Sequence, residues 1–427
     1  MNTKTILQPA AEYFPYIEHH LDTGKDALKL RHYIINGLFE RTETDKDEML
    51  LKGDAFAFSE VNFSGFRQHQ EISANPNAVE VLVPRHRSLY DYAIHQPIHH
   101  DFINRHIIIA VGQNLFVSKF DETLKYFGGF KFLREDTLLQ RKGYADTFLS
   151  TSDYMKTVFP AYLKEEMFSA EKPKHDLLVY IEYERDRNTG KNISGRTKTG
   201  RLRNVNWSML NLLHRLGVET GVDVYITPIN ISFSKVPDAP FIVYPNNFRG
   251  LIKKVTYYTE QRFIFHQYPR FAYKHPEAKM EATVKYGEGM KLQDYNLQKM
   301  RDYKEFSSRL IDRIGRMETV FPLPLLMAAF KGENSLLERD LYDRMQTLCD
   351  NLSRRNVPLD KVTDDSGRLL PRDLLIDKTL LTLNSNPPML IRNFNPRHIA
   401  EYENNRITVH YPELKDWYQA NILHLFQ

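Results

Sequence analysis

Cysteine is almost absent: Cys349 is the single one in 427 residues. A disulfide scaffold and a cysteine-based zinc site are thereby excluded, and a reducing compartment fits. Cys349 itself reads as a small buried apolar residue in a helix. Long apolar runs are missing too. A membrane-spanning helix needs about 20 consecutive apolar residues. The longest candidate, VFPLPLLMAAF at Val320–Phe330, is half that length and carries two prolines. The opening MNTKTILQPAAEYFPY lacks the apolar core of a signal peptide, so a cytoplasmic protein without a spanning helix is expected, one able to lie on a membrane surface. Nor is charge one-sided. Lys and Arg number 58 against 54 Asp and Glu, a net +4, which gives no argument for nucleic acid as a partner. Internal repeats and low-complexity tracts are also lacking.

Missing motifs narrow the chemistry further. There is no G-x-S-x-G, so an α/β-hydrolase serine is unsupported. GKNISGRT at Gly190–Thr197 has the glycine spacing of a phosphate-binding P-loop, but Arg196 stands where that motif demands lysine. His95, His99, His100 and His106 are interrupted by Pro97 and come without an H-E-x-x-H pattern, so they do not point to a metal.

What is present suffices for an ordered core: 42% hydrophobic and 26% charged residues. The length allows one large domain with an accessory one, or two to three ordinary domains. Residues 1 to about 75 read as a mainly helical, polar lead-in, with helical spacing at Arg31–Thr42. Buried strands follow at Val79–Pro84, in RHIIIAVGQNL and in HDLLVYIEY. A further strand, VDVYITPINISF, contains Pro228, which predicts an edge, a bulge or a strand end. Helices are expected in FVSKFDETLKYFGGF, stopped by Gly128 and Gly129, over Tyr144–Ala170 with a break at Pro160, and over Asn204–Gly217. A late strand fits Ala282–Leu292, and Asp302 to about Asn384 reads as mostly helical. The expected fold class is α/β, with a central mixed sheet flanked by helices over 76–300. A helical N-terminal region (1–75) precedes it and a mainly helical C-terminal region (301–427) follows.

Four segments carry chemistry. In PRHRSLYDY, Pro84–Tyr92, His86 and Asp91 stand five residues apart at the end of a strand. Asp91 can accept one ring N–H and leave the other ring nitrogen to take a proton. GGFKFLRE, Gly128–Glu135, combines a sharp backbone turn with Arg134, a fork for a phosphate or carboxylate. IEYERDRNTGK, Ile181–Lys191, leaves a strand at its C-terminal end, where α/β sheets bind ligands. In an extended loop its Arg185 and Arg187 point the same way and can clamp one anion, with Glu182 beside them. YITPINISF, Tyr225–Phe233, offers Pro228 as a rigid turn.

Together these segments resemble the glycerol-3-phosphate acyltransferase family and its dihydroxyacetone-phosphate acyltransferase relatives. That family carries an HX4D block, a GG…R block, an F-x-E-G-x-R-S-R block and a proline-containing strand in the same order. VKYGEGMKL and RIGRMETVFPLPLLMAAF are similar to its later segments, so the likeness covers about 80 to 330. Departures fall in one loop: Tyr183 replaces a glycine, Asp186 a serine, and Asn188 is an insertion. They bear on acceptor identity more than on reaction class. The resemblance implies that His86 takes a proton from an acceptor hydroxyl, which attacks a fatty acyl thioester, acyl-CoA or acyl-ACP. Asp91 would hold the histidine tautomer. Arg134, Arg185 and Arg187 would bind the phosphate of a glycerol-type acceptor and Glu182 would match an acceptor-site glutamate. Arg87, Ser88, Gly128, Gly129 and Pro228 complete the expected substrate-binding set. No metal or redox cofactor is required. Val320–Phe330 and Phe248–Phe265 are candidates for contact with a membrane surface. The competing expectation is an inactive lipid-binding relative, for which Tyr183 and Asp186 leave room and against which His86 and Asp91 argue.

Overall fold

The apolar run IIIAVG and the run AVEVLVP, whose one charged residue is the buried Glu80, form the middle of the molecule, as strands covered on both faces must. The computed structural model describes residues 39–45, 48–53, 58–91, 94, 105–112, 128–132, 137–139, 147–171, 174–180, 182–185, 192–194, 204–244, 259–389, 391 and 394–426. Its strands are β1 (Phe39–Asp45), β2 (Glu48–Gly53), β3 (Phe58–Ser64), β4 (Ala78–Pro84), β5 (Ile107–Gly112), β6 (Gly129–Phe132), β7 (Thr137–Leu139), β8 (Thr147–Leu149), β9 (Asp176–Leu178), β10 (Glu182–Arg185), β11 (Asn192–Ser194), β12 (Asn204–Val205), β13 (Asp223–Phe233), β14 (Met280–Tyr286), β15 (Met290–Lys291), β16 (Ser335–Leu337), β17 (Ala400–Glu403) and β18 (Arg406–Val409). The helices used below are α1 (Arg67–Ala74), α2 (Phe159–Met167), α3 (Trp207–Thr220), α4 (Ala239–Val243), α5 (Tyr268–Lys274), α6 (Met300–Arg316), α7 (Pro322–Ala329), α8 (Glu338–Arg354), α9 (Lys378–Asn384) and α10 (Pro412–Ile422).

The main sheet has ten strands in the order β1-β2-β3-β14-β13-β4-β9-β5-β6, with β15 also on β13. From β13 to β6 the pairing is parallel, while β14 runs antiparallel to β13. The sheet is therefore mixed and flanked by helices, as expected. Alternate residues sort into two cores. Leu82, Ile107, Ile109, Leu178 and Ile229 face one, and Val81, Val83, Ile108, Leu177 and Ile226 face the other. Side chains of α7, α8, α9 and α10 cover the first face, those of α2, α3 and α6 the second. The C-terminal region thus shares its core with the sheet.

Several sequence expectations are corrected. The lead-in is not helical over 39–64: β1, β2 and β3 form an antiparallel meander, and β3 joins the sheet parallel to β14. The apolar spacing near Arg31–Thr42 resembled a helix, yet FERTETD makes the outermost strand, whose charges suit an edge. Thr147–Leu149 is a strand, and the following helical run passes Pro160 without breaking. A wide π turn at Tyr154–Val158 precedes the proline, so the turn that would clash with its ring is already opened. HDLLVYIEY is two strands: β9 in the main sheet, then β10 in a separate β11-β10-β12 sheet. Helix α3 runs on through Gly217 to Gly221, whose φ of 69° closes it. A Cβ on Gly217 would sit 2.3 Å from Gln293 and 2.8 Å from Val224, so close packing requires glycine there.

Pro228 lies inside β13, which is central rather than at an edge. Asp223 N–H and the Ile229 carbonyl bond toward β4, so Pro228 faces the other neighbour. On that side β13 passes from β15 to β14: Ile226 pairs with Met290 and Ile229 with Tyr286. The missing N–H falls in the irregular gap between them, while the Pro228 carbonyl still accepts from Gly287 N–H at 2.8 Å. Finally, Val320–Phe330 is no membrane contact. Val320, Phe321, Leu325, Leu326 and Phe330 are buried in the core. Of Phe248–Phe265, residues 248–258 lie outside the described residues. No helix among the described residues is long and apolar enough to cross a membrane.

Candidate active site

Strand β4 ends at Pro84, and the chain turns at once through Arg85-His86-Arg87-Ser88 into the helical turn that holds Asp91. The His86 Nδ1 lies 2.9 Å from Asp91 Oδ2. The same oxygen accepts the backbone N–H of Arg87 at 2.8 Å and of Ser88 at 3.0 Å. Three N–H groups thus converge on one carboxylate oxygen, and a carboxylate can only accept. Nδ1 is then the protonated nitrogen of neutral His86, which makes Nε2 the basic one. Asp91 is 0% exposed and His86 6%, so the pair sits under cover and not on the surface.

Tyr180, just past the end of β9, stacks on the His86 ring with centroids 4.0 Å apart and planes 29° from parallel. Adjacent strands β4 and β9 put it there, since Leu178 pairs with Leu82 and the chain continues beside Pro84. With Asp91 fixing the ring's edge and Tyr180 its face, the imidazole has one orientation. We expect Tyr180→Leu to lower any His86-dependent rate about two- to tenfold, the equivalent of a ring pair's roughly 0.5–1.5 kcal/mol. Tyr180→Phe keeps the ring and should retain the rate and its pH profile. Equal losses in both variants would remove stacking as the reason.

Arg87 and Ser88 are not available to a substrate, contrary to the sequence expectation. Arg87 turns inward, donating to the Ile231 carbonyl at 3.0 Å and to both carboxylate oxygens of Glu318, one at 2.7 Å. Arg85 donates to Glu318 at 3.2 Å and to the Asn421 carbonyl at 3.0 Å. Asn230 and Ser232 of β13 complete the shell around Glu318 at 3.2 and 3.0 Å. Burial opposes ionisation of Glu318 most strongly, but Arg87, then Arg85 and His424 outweigh it and hold its carboxyl down at about 2. Ser88 Oγ donates to Asp238 at 2.7 Å, and Leu89 N–H donates to the same carboxylate at 3.0 Å. The turn carrying His86 is therefore bolted from behind by two buried acids.

The other expected site residues divide. Pro228 is level with Val83 in the neighbouring strand, below the His86 turn. Glu182 and Arg185 follow Tyr180 closely, but in strand β10 rather than in an extended loop. Gly128 precedes β6 and Gly129 starts it, paired to Ile109 three strands from β4, so they are not brought to His86. Gly128 has φ of 75°, which explains that glycine by backbone conformation alone. Arg134 and Arg187 lie outside the described residues.

A second buried histidine–carboxylate pair exists: His69 Nδ1 meets Glu80, which also accepts from Thr227. Both partners are 0% exposed, and the set clasps α1 to β4 and β13 rather than facing a substrate. Glu318, Arg85, Tyr180 and Asp238 escaped the sequence reading. The one available signal was the pair of arginines flanking His86, two apart and so able to share an anion. Compared with known proteins, the sequence matches no family model, and a search of curated proteins finds no match.

Proposed function

We propose that the protein transfers a fatty acyl group from acyl-CoA or acyl-ACP to the hydroxyl of glycerol 3-phosphate or a related phosphorylated acceptor, as its HX4D-type motifs imply. One observation carries the reading: the 2.9 Å His86–Asp91 contact, with Asp91 locked by two backbone N–H groups at the C-terminal ends of the parallel strands of the mixed sheet. In this scheme Nε2 of His86 takes the acceptor's hydroxyl proton as the oxygen attacks the thioester carbonyl. The tetrahedral intermediate collapses, the C–S bond breaks, and the imidazolium returns the proton to the departing thiolate. Asp91 stabilises that imidazolium without taking a proton itself.

Arg87 is committed to Glu318, so the acceptor phosphate falls to Arg134, Arg185 and Arg187. Tyr183 and Asp186 lie among them and bear on which acceptor fits. Contact with a membrane surface follows from the lipid product, and residues 248–258 carry the remaining basic, aromatic candidate for it. The test is release of thiol from palmitoyl-CoA, and from acyl-ACP, with and without glycerol 3-phosphate, beside His86→Ala. Acceptor-dependent release that vanishes in the variant supports the reading. Failure with glycerol 3-phosphate, dihydroxyacetone phosphate and lysophosphatidic acid alike would sink it in favour of an inactive lipid-binding protein.

A further inference from the structure

A second cluster of chemically competent side chains stands far along the chain from the His86 turn. His398, Glu401 and His410 bring two imidazoles and a carboxylate together at the β17–β18 hairpin, with their nearest nitrogen and oxygen atoms all within 4.8 Å of one another. His398 Nε2 lies 3.2 Å from one Glu401 oxygen and His410 Nε2 lies 3.3 Å from the other. The two rings are stacked, with centroids 4.4 Å apart and planes at 17°. Both basic edges therefore point to the same carboxylate.

The backbone holds this arrangement in place. Asn404 and Asn405 have φ of 52° and 59°, the two left-handed residues of a tight two-residue hairpin turn. That turn pins Glu403 opposite Arg406 and Glu401 opposite Thr408, which leaves His410 on the same face two residues further on. His410 N–H donates to the Ile399 carbonyl at 2.9 Å. On the approach to β17, Asn384 accepts the N–H of Ile399 at 2.8 Å and of Ala400 at 3.1 Å, which fixes the strand start beside His398. All three donors are borne on backbone that hydrogen bonds have already set, so little ordering remains to be done on binding.

We propose that His398, Glu401 and His410 form a divalent-metal site, selective for zinc, in which one carboxylate oxygen and both Nε2 atoms are the ligands. Nitrogen and oxygen ligands at 2.0–2.1 Å from zinc in tetrahedral geometry stand about 3.3 Å from one another. Each Nε2 already stands at that spacing from the Glu401 carboxylate, at 3.2 Å from one oxygen and 3.3 Å from the other. A rotation of the Glu401 carboxylate and a closer approach of ligand atoms that already lie within 4.8 Å of one another complete the triangle. Nitrogen-rich donor sets favour zinc over magnesium or calcium, which take oxygen. Side-chain exposures of 52%, 37% and 31% leave the fourth position to water. Bound metal would tie the strand start at His398 to the segment entering α10 and stiffen the hairpin.

The experiment is calorimetric titration of zinc chloride into chelator-stripped full-length protein, beside a His398→Ala/His410→Ala double variant and Glu401→Gln. One zinc per chain is expected for the parent, lost in the double variant and weakened at least tenfold in Glu401→Gln. Zinc should raise the melting temperature of the parent and leave that of the double variant unmoved. Equal melting temperatures of parent and double variant in chelator show that the variant folds. Equal zinc uptake by both proteins would place the binding on other histidines and overturn the proposal, as would no uptake by the folded parent.

Discussion

His86→Ala is expected to reduce the proposed acyl transfer by about 10²–10⁴-fold, the usual worth of a positioned general base. The loss should appear in kcat with either thioester donor, because the proton must leave the acceptor hydroxyl whichever donor is bound. The fold should survive. Asp91 keeps its bonds from the N–H groups of Arg87 and Ser88, so truncation at 86 strands no buried charge without a donor. The melting temperature should therefore move little while turnover collapses. Asp91→Asn offers the complementary probe: its amide oxygen can keep accepting the N–H groups of Arg87, Ser88 and His86, so the tautomer is retained while the charge that stabilises the imidazolium is lost. A variant at 86 that transfers acyl groups at the parental rate would eliminate this histidine as base.

Glu318→Ala should act on stability instead, by about 3–5 kcal/mol, since it leaves two guanidinium groups buried against each other. Arg85 and Arg87 are both buried beside it. Chemical denaturation reads this directly, and a loss under about 1 kcal/mol would contradict a central role for the acid. The same cluster makes a prediction about acid. Glu318 is held at about 2 against an ordinary 4.5, so the folded state binds fewer protons than the unfolded one between those values. Its contribution is complete above pH 4.5 and is lost as pH falls toward 2, about 3 kcal/mol in all. His424 is pushed down to about 4 from 6.5, by burial first and then by Arg85. It too binds fewer protons when folded, so its stabilisation fades in the same direction, as pH drops from 6.5 to 4. Glu318→Ala should flatten the lower part of that acid limb.

How legible was this in the sequence? The strands with runs of Val and Ile were, because burial on both faces leaves a continuous apolar signature. So were His86 and Asp91, whose partnership is local and spans one turn. Cys349 also lies as expected, buried in α8 with its thiol pushed up to about 12 by burial. The meander of β1, β2 and β3 was not legible, because edge strands carry charges that mimic a solvated helix face. Arg87 looked like a ligand-binding arginine since its partner is 231 positions away. Glu318 looked like an ordinary acid before an apolar run. Tyr180 sits where a strand stops, and only the neighbouring strand's register brings it onto an imidazole.

The back of the His86 turn has a consequence for time as well as for space. Its bolts close loops of 231 residues to Glu318 and 336 residues to the Asn421 carbonyl. Contacts that distant in sequence form late, because the entropy of closing long loops has to be met before they repay it. During synthesis, β4 and β5 leave the ribosome long before Glu318 and Asn421 do. A half-made chain would therefore carry β4 and β5 joined through β9 and a loose His86, and the His86 turn would be fixed only at the end of folding. Hydrogen-exchange labelling during refolding should find the amides of residues 85–91 protected in the slowest phase, after those of β4 itself.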